Sequence, residues 1–371
     1  MNKTAWLFGP DVSFSGSTRS RKHGSPQADV GKAPLAAIFG VAGTELNENE
    51  RSFFRSANPL GFNLFKRNCV TPDQVRALVG ELRACVGRSD APVLIDQEGG
   101  RVARLTPPYW RQLPAAAAFG DLARSDQAAA EEAVTINYRL IASELFNLGI
   151  TVNAAPVLDL RRPETTDAIG DRAFSDDPAF VAALGVAACC GLLAGGVTPI
   201  IKHMPGHGRA TVDSHLTLPK VVVDRYTLEG TDFLPFTALN RMSWGMTAHI
   251  LYTAFDADFP VTHSPTVIES VIRGTLGFSG FLASDDICME ALEGDIGARA
   301  ARALAAGCDV VLHGNGNLAA MEQVAAGTRC LDGVAMKRLQ RSEATRRLPD
   351  ISDDVDVNEM MAKLDGFLAR P

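Results

Sequence analysis

Long apolar runs are missing from this 371-residue chain. None approaches the ~20 residues that a membrane span needs. Positive charge is not in excess either: Lys plus Arg number 36 against 43 Asp plus Glu, for a net charge of −7. A mildly acidic chain is not a default nucleic-acid binder. Cysteines number seven, an odd count, and no two form a C-x-x-C pair. Most of them sit within apolar runs, where Cys acts as a small buried hydrophobe, so a reducing, cytoplasmic compartment is expected and a disulfide scaffold is not. No repeat of solenoid period is present. Apolar residues at 46% and charged residues at 21% match ordinary globular values and exclude a wholly disordered chain or a fibre.

The first 33 residues differ from the rest. They are rich in Ser, Gly, Lys and Arg and contain no Glu, and Gly16–Pro26 shows no hydrophobic period. Trp6-Leu7-Phe8 is too short for the apolar region of a secretory signal. A disordered or poorly ordered extension is expected over 1–33. Asp11 and Asp29 count against a transit peptide, and a basic arm for nucleic acid is the weakest reading.

From Leu35 onward, short apolar runs alternate with helix-like segments. The strands are expected at Leu35–Phe39, Gly61–Phe65, Pro92–Ile95, Thr151–Leu158, Thr198–Ile201, Gly245–Ala248, Gly280–Ala283 and Asp309–Leu312. Most are apolar throughout rather than alternating, as strands covered on both faces are. Between them, Thr71-Pro72-Asp73-Gln74 has the form of a capping box with Pro at the first helical position. Ser264-Pro265 opens another helix, and an Ala-rich helix over Gln127–Leu148 stops at Gly149. Eight strand–helix alternations predict an α/β fold, a (β/α)8 TIM barrel forming a single catalytic domain over 34–327. Residues 328–371 are expected as C-terminal helices packed on that barrel. A doubly wound open sheet is the rival, but no Gly-rich phosphate loop follows an early strand.

Barrel enzymes place their chemistry at the C-terminal ends of the strands, and here those ends are unusually polar. They carry Lys66-Arg67, Asp96-Gln97-Glu98, Asp159, Lys202-His203, His249, Ser284-Asp285-Asp286 and His313. Structural ion pairs would account for some of these, and Asp171-Arg172 could be such a loop pair. His203, His207, Asp213 and His215 could also be read as metal ligands, but they straddle Gly and Pro turns rather than one helix face. Strand side chains alternate in direction. Of Asp285 and Asp286, one faces the mouth while the other caps or pairs, and the pattern does not say which.

Several long segments, in order, resemble glycoside hydrolase family 3. They are Asp96–Val102, Ile169–Ser175, Lys202–Gly208 with Asp213-Ser214-His215, and Ser284-Asp285-Asp286. The likeness is to the single-domain bacterial β-N-acetylglucosaminidases of peptidoglycan recycling and runs from about Leu35 to about Gly314. It implies a retaining exo-acting enzyme without cofactor or metal that removes terminal N-acetylglucosamine. The implied partner is a GlcNAc-terminated muropeptide-like saccharide, with no nucleic acid or membrane, and the implied state is a monomer. The resemblance makes Asp285 the nucleophile, His215 the general acid/base and Asp213 its partner in a dyad. It makes Asp96, Arg104, Arg172, Lys202 and His203 sugar-contacting residues. Another sugar, or phosphorolysis in place of hydrolysis, is the alternative. The chain departs from the family at Ala283, Cys288 and Met204, which bears on substrate fit rather than on the reaction.

The residue types suit the chemistry. A retaining glycosidase needs an ionised nucleophile and a group that gives and then takes a proton. Asp supplies the first, and a nearby Lys202, Arg104 or Arg172 is expected to keep it charged. His supplies the second near neutrality. Gly206 and Gly208 predict a loop over Pro205–Thr217 that closes on substrate. His249 and His313 are read as core or rim residues.

Overall fold

The structure is a computed structural model and describes residues 33–346 and 356–369. Residues 1–32 of the expected extension, together with 347–355 and 370–371 of the C-terminal region, lie outside the described residues. Eight parallel strands close into a barrel: β1 (Leu35–Gly40), β2 (Pro59–Leu64), β3 (Val93–Ile95), β4 (Val152–Asn153), β5 (Thr198–Met204), β6 (Trp244–Thr247), β7 (Phe281–Asp286) and β8 (Val310–His313). Each strand pairs with its sequence neighbours, and β8 closes on β1 with Phe39 opposite His313. This is the (β/α)8 barrel that the apolar runs predict. Ile38, Phe39, Phe62, Ile95, Ile200 and Trp244 are among the side chains buried by it.

Helices follow the strands and cover the barrel. Pro72–Val86 begins at Thr71, whose hydroxyl accepts from Gln74 N at 3.3 Å. The expected capping box is only half formed. Gln74 Oε1 takes Val70 N–H, and its amide instead donates to Thr44 and Asn68 carbonyls, tying down the preceding loop. Gln127–Asn147 ends ahead of Gly149, whose φ of +78° is the left-handed conformation that suits glycine. Ser264 Oγ accepts from Val267 N at 3.0 Å and caps the helical segment that opens at Pro265 and continues as Val267–Thr275 in the wider π form. Beyond β8, Gly333–Thr345 packs on the barrel, and Trp244 Nε1 of β6 donates to Ser342 Oγ at 2.7 Å. Val357–Leu368 packs on Gln127–Asn147, with Lys363 on Glu132 at 2.6 Å. Two short strands, Lys220–Val221 and Leu251–Tyr252, form a separate ribbon.

Two strands differ from expectation in ways that shape the mouth. β4 pairs only over Val152–Asn153 rather than to Leu158. Pro156 has no N–H to give a ladder, and pairing resumes as a single bridge between Val157 and Lys202. β5 runs on past Ile201 to Met204, and its register against β6 slips between Ile201 and Met204. That irregularity lets the consecutive residues Lys202 and His203, joined by a cis peptide, both reach the cavity at the barrel mouth.

Candidate active site

A cavity of about 260 Å³ opens at the C-terminal ends of the strands. Asn63 of β2, Met246 of β6 and Leu312 of β8 close it from the barrel side, and Phe65 lines its wall. All eight residues singled out from the sequence meet here: Asp96, Arg104, Arg172, Lys202, His203, Asp213, His215 and Asp285. None of Ala283, Met204 and Cys288, the three departures from the family pattern, is among the residues that line it.

One wall is a chain of five charges. Lys202 Nζ lies 2.9 Å from Asp96 Oδ1 and 2.6 Å from Glu98 Oε1. Arg104 meets the other oxygen of Asp96 at 3.1 Å. Arg172 grips Glu98 with two parallel bonds of 2.8 Å, the fork geometry that favours arginine. Burial opposes ionisation of Glu98, yet Arg172 and Lys202 hold its carboxyl down at about 2. Burial likewise opposes ionisation of Asp96, and Lys202 and Arg104 keep it well below the usual carboxylate range. For Lys202, burial is outweighed by the same two carboxylates and its affinity for the proton rises. Gly99 and Gly100, with φ of +114° and +55°, make the turn that brings Arg104 back over Asp96. The alternative of a loop pair between Asp171 and Arg172 is not what the structure shows. Arg172 turns inward to Glu98, and Asp171 is held at 2.8 Å by Arg101, which also binds the carbonyls of Asp167, Ala168 and Ile169.

Asp285 ends β7. Its Oδ1 accepts from Asp286 N at 2.8 Å, and its Oδ2 has no hydrogen bond among the described residues. His203 Nε2 stands 3.9 Å from that Oδ2. Burial raises the carboxyl, but His203, His249, the Asp286 N–H and Lys202 outweigh it and leave Asp285 below its ordinary value. Of the three cations expected to keep it charged, Lys202 contributes, Arg104 and Arg172 are committed to Asp96 and Glu98, and His203 and His249 act more strongly than Lys202. Asp286 takes the capping role, accepting from Cys288 N at 3.0 Å and Gly314 N at 3.1 Å.

The segment after β5 carries Asp213 and His215. His215 Nδ1 lies 2.8 Å from Asp213 Oδ1, which also accepts His215 N at 2.9 Å. Burial works against the Asp213 carboxylate, and these His215 bonds bring its pKa below the usual value. The His215 ring is 59% exposed, so its other nitrogen is accessible. The loop rests on the segment after β7 through main-chain bonds: Glu290 N to His215 O at 3.3 Å and Ala291 N to Ser214 O at 3.2 Å.

Four residues at the mouth were assigned no catalytic or sugar-contacting role from the sequence. Glu98, Asp159 and His207 stand at strand ends or in the motifs themselves, but the partners that tie them together (Arg172 and Lys202 for Glu98, His203 and His207 for Asp159) are 44 to 104 residues away in sequence and no spacing reveals them. His249, read as a core or rim residue, donates from Nε2 to Asp286 O (3.0 Å), shares a hydrogen bond between Nδ1 and Thr262 Oγ1 (2.7 Å) and bears on the Asp285 charge. Among the described residues, no cluster of three or more His, Cys, Asp or Glu is arranged to hold a metal ion.

Comparison with known proteins agrees with this fold. The model of the glycosyl hydrolase family 3 N terminal domain matches residues 36–348. A beta-hexosaminidase of Methylococcus capsulatus is 40% identical over 282 residues, covering 74% of this chain and 81% of its own. A beta-hexosaminidase of Xanthomonas campestris pv. campestris is 37% identical over 305 residues, covering 81% and 90%. The crystal structure of native NagZ from Neisseria gonorrhoeae superimposes with a TM-score of 0.81 at 30% identity, over 91% of this chain and 99% of that one. The same protein, in complex with N-trifluoroacetyl-D-glucosamine, is similar at 31% identity. The chain belongs to glycosyl hydrolase family 3.

Proposed function

We propose that this protein is a retaining exo-β-N-acetylglucosaminidase that removes terminal N-acetylglucosamine from peptidoglycan turnover fragments through a covalent glycosyl-Asp285 intermediate. Its family and its beta-hexosaminidase relatives make it a glycoside hydrolase of the β-N-acetylhexosaminidase kind. One observation carries the finer reading: a buried Asp285 with an unengaged Oδ2 shares a small cavity with an accessible Asp213–His215 pair. At about 260 Å³ the cavity is smaller than the ~300–1,000 Å³ of typical ligand pockets, a size suited to one sugar ring and hence to exo action.

In this reading Asp285 Oδ2 attacks the anomeric carbon as the bond to the aglycone oxygen breaks. His215 Nε2–H gives that oxygen its proton, and Asp213 holds the ring by Nδ1–H and stabilises its charged form. A water then loses a proton to His215 and attacks the same carbon, freeing Asp285 and returning the sugar with its configuration retained. Asp96 and Lys202 offer paired acceptor and donor groups to sugar hydroxyls. The resemblance to the peptidoglycan-recycling branch supports a GlcNAc-terminated muropeptide as substrate.

The test is release of nitrophenolate from 4-nitrophenyl N-acetyl-β-glucosaminide and from the β-glucoside, with and without phosphate, beside an Asp285→Ala control. Cleavage of the N-acetyl substrate alone, lost in the variant and unaffected by phosphate, is expected. Preference for the glucoside would overturn the sugar, and dependence on phosphate would turn hydrolysis into phosphorolysis. A purified GlcNAc-terminated muropeptide, followed by mass spectrometry, tests the natural aglycone.

A further inference from the structure

We propose that Asp159, after β4, is a positioning residue that aims His203 at Asp285 and anchors the base of the loop that bears Asp213 and His215. This rests on the assignment of Asp285 and His215 as the reacting groups. Asp159 is fully buried. A buried carboxylate is costly, and an apolar residue in its place would avoid that cost. Among the described residues no Lys or Arg forms an ion pair with it. It accepts instead from His203 Nδ1 at 2.6 Å, from His203 N at 3.3 Å and from His207 N at 2.6 Å.

Two lines of contact leave this carboxylate. The first runs through the His203 ring. With Nδ1–H given to Asp159, the Nε2 edge is fixed 3.9 Å from the unengaged oxygen of Asp285. An outer carboxylate that fixes the tautomer and angle of an imidazole is a recurring device at reactive sites. The second runs through His207. Its ring packs edge-on against His203, with centroids 5.5 Å apart, and its Nε2 lies 3.3 Å from Ser214 Oγ. Ser214 sits between Asp213 and His215. One side chain thus touches the supports of both halves of the reaction and neither reacting group.

The Asp159→Asn variant separates positioning from folding. Its amide oxygen still accepts from the two backbone N–H groups, while its NH2 group opposes the Nδ1–H of His203. The ring must then turn or change tautomer. Besides His203, the groups that face Asp285 are Lys202 on β5, His207 beyond it, His249 beyond β6 and the neighbouring Asp286. These are unchanged in the variant.

We expect kcat/KM to fall on the order of 10²-fold with the unfolding temperature retained. The acid limb of kcat/KM against pH is expected to move to higher pH, since the imidazole that faces Asp285 Oδ2 is no longer held in place beside it. The loss is expected to be alike for good and poor leaving groups. Asp159→Ala removes the loop anchor as well, so its loss deepens as the leaving group becomes poorer. Independently of turnover, ¹⁵N-histidine NMR is expected to show His203 protonated at Nδ1 in the wild type and altered in Asp159→Asn. An unmoved pH limb, or a rate loss that only tracks lost stability, would overturn the proposal. So would the same His203 tautomer in both proteins. A wild type inert on every glycoside sinks the functional reading instead, and the NMR comparison still decides the placement of His203.

Discussion

Lys202→Met tests the charged wall most directly. Lys202 is 2% exposed and stands between two carboxylates at 2.9 and 2.6 Å. Met keeps most of the volume and removes the charge. Asp96 retains Arg104 and Glu98 retains Arg172, but the two anions then face each other across a dry gap. Removing one partner of a buried pair costs about 3–5 kcal/mol. At about 2.1 cal/mol/K of unfolding entropy per residue, a barrel of this size loses roughly 1.5 °C per kcal/mol, so the melting temperature should fall by about 4–7 °C near pH 7. The deficit should depend on pH in a definite direction. In the wild type both carboxyls titrate below their unfolded values, Glu98 at about 2, so their contribution is present above about pH 4.5 and lost below it. In the variant their pKa values rise, so acidification neutralises the repulsion and restores stability. The gap between the two proteins should narrow from pH 7 towards pH 4. Differential scanning calorimetry over that range measures it. A gap of constant size would mean that Lys202 matters for packing and that the electrostatic reasoning is wrong.

Three further outcomes are expected. His215→Ala should slow cleavage of substrates with poor leaving groups by about 10²–10⁴-fold while sparing nitrophenyl substrates, which need little proton transfer; a Brønsted series measures this, and equal losses would remove His215 from the acid role. The acid limb of wild-type kcat/KM should lie below about pH 4, because Asp285 is held under its ordinary value and must be ionised; a limb at pH 5–6 would contradict that. Trp244→Phe strips the Ser342 hydroxyl of its 2.7 Å donor in a buried seam and should cost about 1–3 kcal/mol in urea unfolding without changing KM.

Much of this architecture was legible from the order of apolar runs, because strands buried on both faces leave a signal that needs no partner to interpret. Where the reading failed, a single residue usually overrode the pattern. Pro156 breaks the ladder of β4 inside an otherwise continuous apolar run, and the slip in β5 turns two consecutive side chains the same way. The site residues were legible by motif and strand end, but their pairings were not. Arg172 lies next to Asp171 in sequence, so a local ion pair is the alternative to its sugar-contacting role that the sequence offers. The fold instead offers Glu98, 74 residues away, in a buried position where a bidentate bond is stronger than at the surface. Asp159 looked like one polar strand end among several, since only the closed barrel shows that two histidines converge on it.

The row Arg104–Asp96–Lys202–Glu98–Arg172 also bears on what recognition costs. It stitches together the loop after β3, the end of β5 and the loop after β4, three segments that would otherwise fluctuate independently. Long side chains such as Lys and Arg usually surrender about 0.5–1.5 kcal/mol of rotamer freedom each when a ligand immobilises them. Here that freedom was given up when the chain folded. A sugar entering the cavity therefore meets donors and acceptors already at rest, and the entropy of ordering them is charged to folding rather than to binding.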